Sequence, residues 1–425
     1  MRWRVKPSKL SGRIITPSSK SHTIRALLIA TLASGRSVIK DALLKGDGES
    51  ALNAAKALGA KCEIVDENLI IDGVAENFNL GDDSIFMGNS GTGTRLFTSA
   101  AALGTKNRVF DGDDSLRSRP MKPLLVALKK LGADYSLKST NSDLPFEISG
   151  PLKGGEVEID GLTSQYLSSL LLTAPLIKND TKIVVKNLHE KPYVKITLWW
   201  LDKMGIKYAV NEDMSTYHIY GSQTYPTINS RIAGDFSSAT FPAVAAALTK
   251  CELTVDNIDF TDPQGDKEIF ALLEKMGVNV LRGKNSAVVS RKGDLLPAIL
   301  DLNKMPDALP AFAVLATQAN GVTKIVNTKQ ARIKETDRIF VMATELKKMG
   351  ADIEEREDGL IIRKSKLKGA VVNGHDDHRV VMALALAGMV ASNETIIESA
   401  EAASVTYESF LEDFKNIGAN IEIVQ

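Results

Sequence analysis

The residues of this chain with the clearest chemical potential are cations placed where helix electrostatics would not put them. Six apolar stretches open on polar residues: Ser18-Ser19-Lys20-Ser21 with Arg25, Gly88-Asn89-Ser90-Gly91-Thr92-Gly93-Thr94-Arg95, Thr163-Ser164-Gln165, Gly234-Asp235-Phe236-Ser237-Ser238, Pro306-Asp307-Ala308 and Asp376-Asp377-His378-Arg379. If each opens a helix, its first turn offers unpaired N–H groups and the positive end of the macrodipole. Ordinary N-capping by Ser, Thr and Asp accounts for about half of these positions, notably Ser238 and Asp377. It does not account for Lys20, Arg95 or Arg379, because a cation in the first turn opposes the dipole unless an anion is bound there.

Two basic clusters add to this set, Leu116-Arg117-Ser118-Arg119-Pro120-Met121 and Arg332-Ile333-Lys334-Glu335-Thr336-Asp337-Arg338. In the second, Lys334 and Arg338 stand four apart and are expected on one helical face, with Glu335 beside them. The run Gly88 to Gly93 fits neither the Rossmann nor the P-loop spacing, and reads equally as a structural turn or as a close backbone approach to an anion. A metal site at His375-Asp376-Asp377-His378 is not expected, because successive residues project in different directions.

The elements that must position these groups follow from internal repetition. An apolar residue plus Gly, leading into an alternating segment, occurs at Leu58-Gly59, Leu131-Gly132, Met204-Gly205, Met276-Gly277, Met349-Gly350 and Ile417-Gly418. Each pair predicts an amphipathic helix closed by a left-handed Gly and followed by a strand. The glycines recur every 68–73 residues, and the six polar helix starts keep nearly the same period. Six units therefore fill the chain. Each contributes one helix apolar nearly all round, expected inside, one Lys/Glu-bearing outer helix, and strands. Val380 to Ala391, the longest apolar stretch, is too short to span a membrane and is expected as a buried helix.

With 425 residues the chain exceeds one compact core, and three units per domain divide it near residue 230. The polar, extended segments Arg13 to Ser18 and Thr227 to Arg231 are the expected crossings. This gives one discontinuous domain, 1–13 with 231–425, and a second, 14–230. Fifty-two basic and fifty-two acidic residues leave no net charge, which argues against a nucleic-acid scaffold and against an anionic membrane as partner. Cys62 and Cys251 form no disulfide framework or Cys-type zinc site, and the N-terminus shows no secretory pattern, so a cytoplasmic protein, expected as a monomer, fits.

Taken in order, the motifs Pro17-Ser18-Ser19-Lys20-Ser21 with Arg25, Gly88-Asn89-Ser90-Gly91-Thr92 with Arg95, Arg119-Pro120-Met121, Ser164-Gln165, Pro306-Asp307, Lys334 to Arg338 and Asp377-His378-Arg379 resemble those of the 5-enolpyruvylshikimate-3-phosphate synthase family across essentially the whole chain. The resemblance implies a two-domain inside-out α/β fold of six βαβαββ units, with the substrate cleft between the domains. It implies transfer of the enolpyruvyl group of phosphoenolpyruvate to the 5-hydroxyl of shikimate 3-phosphate with release of phosphate. No metal or organic cofactor is implied. In that reaction C3 of phosphoenolpyruvate is protonated as the hydroxyl attacks C2, and the tetrahedral intermediate then loses phosphate and a C3 proton.

By similarity, Lys20, Gly91, Arg119, Gln165, Arg338 and Arg379 hold phosphoenolpyruvate. Lys20, Ser21, Arg25, Thr163, Ser164, Gln165, Tyr193, Asp307, Gln330 and Lys334 hold shikimate 3-phosphate. Asp307 is expected to accept the 5-hydroxyl proton and Glu335 to donate to C3, with Lys20 sharing in proton transfer. His378 reads equally as an orienting partner or a core histidine. Three positions depart from the family's pattern. Glu190 stands where a Ser is common, Val405 where a Lys is common, and Leu96 where a Pro is common. The sister enolpyruvyl transferase acting on UDP-N-acetylglucosamine is the nearest alternative, but the loop Leu116 to Pro120 lacks the Cys usual there.

Overall fold

The computed structural model describes every residue except Glu76 and Gln425, and the chain divides into two compact units, Met1–Pro17 with Ala233–Gln425 and Ser18–Ile232. Each unit holds three four-stranded sheets of one topology. In the sheet built on Gly155–Asp160, that strand runs parallel to Thr181–Lys186, which pairs antiparallel with Thr216–Ile219, itself antiparallel to Tyr208–Val210. The buried helix Ser164–Thr173 follows the first strand and the outer helix Lys191–Lys203 follows the second, giving the order βαβαββ. Within each unit the buried helices pack on one another, Gly91–Ala101 against Lys20–Leu32 and Ser164–Thr173, and Phe236–Thr249, Leu309–Ala316 and His378–Val390 mutually. The helices are inside and the sheets outside, as the six-unit pattern predicts.

Three sheets are completed by strands distant in sequence. Asn229–Arg231 pairs with Arg36–Lys40, Gly12–Ile15 pairs with Glu252–Asp256, and Arg2–Lys6 lies between Thr395–Glu398 and Asn420–Val424. The crossings therefore fall after Pro17 and Ile232, a few residues later than boundaries at 13 and 230. Those earlier positions lie inside or beside paired strands. The polarity that marked them belongs to edge strands with only one side-chain face buried, such as Gly12–Ile15, where Ile14 alone points inward.

All six outer helices end as the sequence predicts. Gly59, Gly132, Gly205, Gly277, Gly350 and Gly418 have φ between 69° and 110°. At each the last turn closes with a pair of bonds such as Gly132 N–H to the Lys129 carbonyl at 3.1 Å and Ala133 N–H to that of Leu128 at 3.0 Å. This is the double closure that a left-handed C′ residue permits, and it turns the chain directly into the third strand.

The inner helices are capped by Ser19, Ser90, Thr163, Asp235 and Asp377, each accepting from a backbone N–H of the first turn. Asp235, not Ser238, caps its helix. The fifth start differs: Asp307 lies inside a 3-10 turn, Pro306–Ala308, ahead of Leu309–Ala316, and is the N-cap of neither, those positions being Met305 and Ala308. Among the described residues no helix is long and apolar enough to cross a membrane; the stretch from Val380 lies in the buried helix His378–Val390.

Candidate active site

In the unit containing the C-terminus, the chemistry gathers on one guanidinium. Arg338, the first residue of helix Arg338–Lys348, has a side chain only 1% exposed. Its Nη1 donates to Asp307 Oδ1 at 2.8 Å, its Nη2 to Glu335 Oε2 at 2.5 Å and to Asp377 Oδ1 at 3.1 Å, and its Nε to Asp377 Oδ2 at 2.7 Å. Arg379 Nη2 meets the other oxygen of Asp307 at 3.0 Å. Burial alone would lower the Arg338 pKa, but Asp377, Glu335 and Asp307 raise it above the ordinary arginine value. A planar fork can serve three acids in one plane, which the tetrahedral donors of an ammonium cannot.

The expected shared helical face for Lys334 and Arg338 is not formed. Lys334, Glu335 and Thr336 lie in a bend between the 3-10 turn Lys329–Ile333 and the helix, because Asp337 caps the helix and starts it at Arg338. Glu335 still reaches Arg338 from that bend. Gln330 is buried in the preceding turn, donating from Nε2 to the Asn303 carbonyl at 3.0 Å. His378 is buried as the first residue of its helix. Asp377 has two functions, since it caps that helix through Arg379 N–H at 2.9 Å and also binds Arg338. Sequence reading assigned it only the first.

Asp266 was not foreseen at all. Fully buried, it accepts from Ser237 Oγ at 2.8 Å. Desolvation foremost, then the charges of Asp307 and Asp235, push its pKa up to about 7 against the pull of Ser237 and Arg379. No motif or charge pattern marked it, because nearness to Asp307 and Asp235 arises only through folding. A group whose folded pKa is raised stabilises at low pH, and that contribution fades as pH climbs from the unfolded value near 4 to about 7. Asp266→Asn, which keeps an acceptor for Ser237, should therefore raise the melting temperature at pH 8 and change it little at pH 4.5. Equal shifts at both pH values in thermal scans would contradict this.

In the unit Ser18–Ile232, Lys20 Nζ lies 3.0 Å from Asp47 Oδ2, both largely shielded. Arg25 is buried and donates to Thr197 Oγ1 at 2.8 Å, the Ser21 carbonyl at 2.8 Å, the Tyr193 carbonyl at 3.1 Å and Ser168 Oγ at 3.3 Å. It ties helices Lys20–Leu32, Ser164–Thr173 and Lys191–Lys203 together. Burial, the dominant influence, lowers its pKa to about 10, so it stays charged at neutral pH. Arg95 donates to Gln165 Oε1 and to the Pro120 carbonyl at 3.2 Å, which also accepts from Tyr166 Oη at 2.7 Å.

Arg119 donates to the side-chain oxygen of Asn89, to its carbonyl at 3.2 Å and to Ser115 Oγ at 3.1 Å. A Cβ on Gly91 would stand 2.9 Å from Arg119 Nη1 and 3.2 Å from Arg95 Nη1, so the glycine makes room for two guanidinium groups rather than for a turn alone. Thr163 caps its helix by accepting from Gln165 N–H at 3.3 Å. Glu190 is buried at φ 54° and accepts from Ser164 Oγ at 3.0 Å, placing a carboxylate on the helix start that carries Thr163, Ser164 and Gln165. Gly91, Arg95, Arg119 and Gln165 thus form one cationic cluster, while Lys20 is held by Asp47 and Arg25 is engaged with the protein's own oxygens.

The family model described as EPSP synthase (3-phosphoshikimate 1-carboxyvinyltransferase) matches residues 5–414. A 3-phosphoshikimate 1-carboxyvinyltransferase of Acetivibrio thermocellus is 51% identical over 423 residues, covering 99% of each chain. One from Ruminiclostridium cellulolyticum is 47% identical over 421 residues, again with 99% of each covered. Among solved structures, an EPSP synthase from Acinetobacter baumannii superposes with a TM-score of 0.83 at 25% identity, covering all of both chains.

Proposed function

The chain belongs to the EPSP synthase family, and from that premise we propose how its two clusters divide the work of one reaction. The reaction itself is transfer of the enolpyruvyl group of phosphoenolpyruvate to the 5-hydroxyl of shikimate 3-phosphate, with release of phosphate. The observation that carries the assignment is Arg338 holding Asp307, Glu335 and Asp377 at once while Arg379 holds the far side of Asp307. Cations and acids are interleaved there, as needed where anionic substrates must bind and protons must also move.

In this reading Arg338 and Arg379, with Lys20, Gly91, Arg119 and Gln165, receive the carboxylate and phosphate of phosphoenolpyruvate. Ser21, Arg25, Thr163, Ser164, Gln165, Tyr193, Gln330 and Lys334, again with Lys20, receive shikimate 3-phosphate, and Asp307 faces its 5-hydroxyl. Asp307 takes the hydroxyl proton as oxygen attacks C2, and Glu335 supplies the proton to C3, with Lys20 sharing in transfer. Collapse of the intermediate expels phosphate and returns a C3 proton to a base. The reading places one substrate pair against residues of both units, so neither unit alone should turn over.

We read the protein further as cytoplasmic, on the support of two cysteines with no disulfide framework, and as without nucleic-acid partners, on the support of zero net charge, with a monomer as the expected state. Phosphate release by the purified chain should require phosphoenolpyruvate and shikimate 3-phosphate together. Equal release with either omitted, or with UDP-N-acetylglucosamine as acceptor, would overturn the assignment.

A further inference from the structure

Helix Arg338–Lys348 holds the segment that carries Asp377 and Arg379 at a second point. Two turns beyond Arg338, the Glu345 side chain is 1% exposed. Its carboxylate accepts from the Asn373 backbone N–H at 3.0 Å, from His375 Nε2 at 2.9 Å, and from Lys348 Nζ at 2.7 and 2.9 Å to its two oxygens. These bonds hold its pKa below the ordinary glutamate value although burial opposes them. A buried carboxylate so fully supplied with donors is a fixed part of the architecture. None of the steps assigned above uses it.

What Glu345 grips is unusual backbone. His375 and Asp376 are consecutive non-glycine residues at φ 51° and 55°, a conformation that L side chains avoid and that persists only where surrounding contacts impose it. His375 N–H also donates to Asn373 Oδ1 at 2.6 Å. Ahead of them Gly374 has no room for a side chain, since a Cβ would lie 2.2 Å from Val381 Cγ2. Directly after this turn come Asp377, bound to Arg338, and Arg379, bound to Asp307. One helix therefore holds both sides of the turn, with Arg338 on Asp377 and Glu345 on Asn373 and His375.

We propose that Glu345, acting through Asn373 and His375, is a positioning residue that fixes the turn at 374–376 and so aims Arg379 at phosphoenolpyruvate. The proposal rests on the assignment of Arg379 to that substrate. A role in stability alone would lower the amount of folded enzyme without changing the KM of what remains. A positioning role shifts one KM selectively, because a misplaced guanidinium weakens contact with one substrate.

The test is steady-state kinetics on Glu345→Gln, His375→Gln and Arg379→Gln, with the KM for each substrate measured separately. His375→Gln alters a partly exposed side chain and should fold if Glu345→Gln does not. The expected result is a KM for phosphoenolpyruvate raised about tenfold in Glu345→Gln, and in the same direction in His375→Gln, with that for shikimate 3-phosphate within about twofold of wild type. An unchanged phosphoenolpyruvate KM in both variants, while Arg379→Gln raises it, overturns the proposal. An unchanged value in Arg379→Gln overturns the substrate assignment beneath it.

Discussion

Arg338→Ala should abolish measurable turnover and also destabilise the C-terminal unit, the largest combined effect expected for any single substitution. Its guanidinium serves Asp307, Glu335 and Asp377 inside the protein, at 2.8, 2.5 and 2.7 Å. Removing it leaves three carboxylates without their shared cation, with Asp307 still paired to Arg379. Breaking a single buried pair costs about 3–5 kcal/mol, and in a domain of this size that lowers the melting temperature by on the order of 10 °C. Arg338→Lys separates charge from geometry. The ammonium restores a positive charge but cannot reach three acids in one plane. It should recover part of the stability while kcat/KM stays at least about 10²-fold below wild type. Calorimetry and kinetics on the two variants check both halves. Full activity in the lysine variant would show that charge alone is required.

Much of this was legible in the sequence, for identifiable reasons. A left-handed glycine after an amphipathic helix is a local requirement, so six such glycines gave the repeat, and all six have the expected φ. Capping is also local: Asp377 was read correctly as a cap from its position, while Ser238 was expected where Asp235 caps. Contacts between repeats are not local. The clustering of Arg338 with Asp307 and Asp377 joins residues 31 and 39 positions apart, and no periodicity in a single sequence encodes which carboxylate a guanidinium will meet.

Asp266 and Asp47 escaped notice for the same reason, being ordinary acids until the fold places them beside Ser237 and Lys20. Glu190 was visible as a departure from the family's pattern, but its burial against Ser164 was not. The helical face expected for Lys334 and Arg338 failed because a cap at Asp337 takes precedence over four-residue spacing.

Asp307→Asn and Glu335→Gln should each lower kcat by about 10²- to 10⁴-fold while leaving substrate affinity far less changed. Both substitutions keep size and a hydrogen-bonding oxygen but remove the capacity to exchange a proton. Asp307 is held by Arg338 on one oxygen and Arg379 on the other, so both of its oxygens are engaged by cations before substrate arrives. If phosphoenolpyruvate then takes Arg379 for its own anionic groups, one oxygen of Asp307 loses its cation just as the 5-hydroxyl needs an acceptor. Binding of one substrate would thereby activate the base for the other. Glu335 is tied to Arg338, and its proton must reach carbon, which an amide cannot supply. Solvent deuterium separates the roles: every turnover must still protonate C3, but without Glu335 that transfer becomes the slow step, so Glu335→Gln should show a larger solvent isotope effect on kcat than wild type. Near-wild-type turnover in either variant, or an unchanged solvent isotope effect in the glutamine variant, would remove that residue from its assigned step.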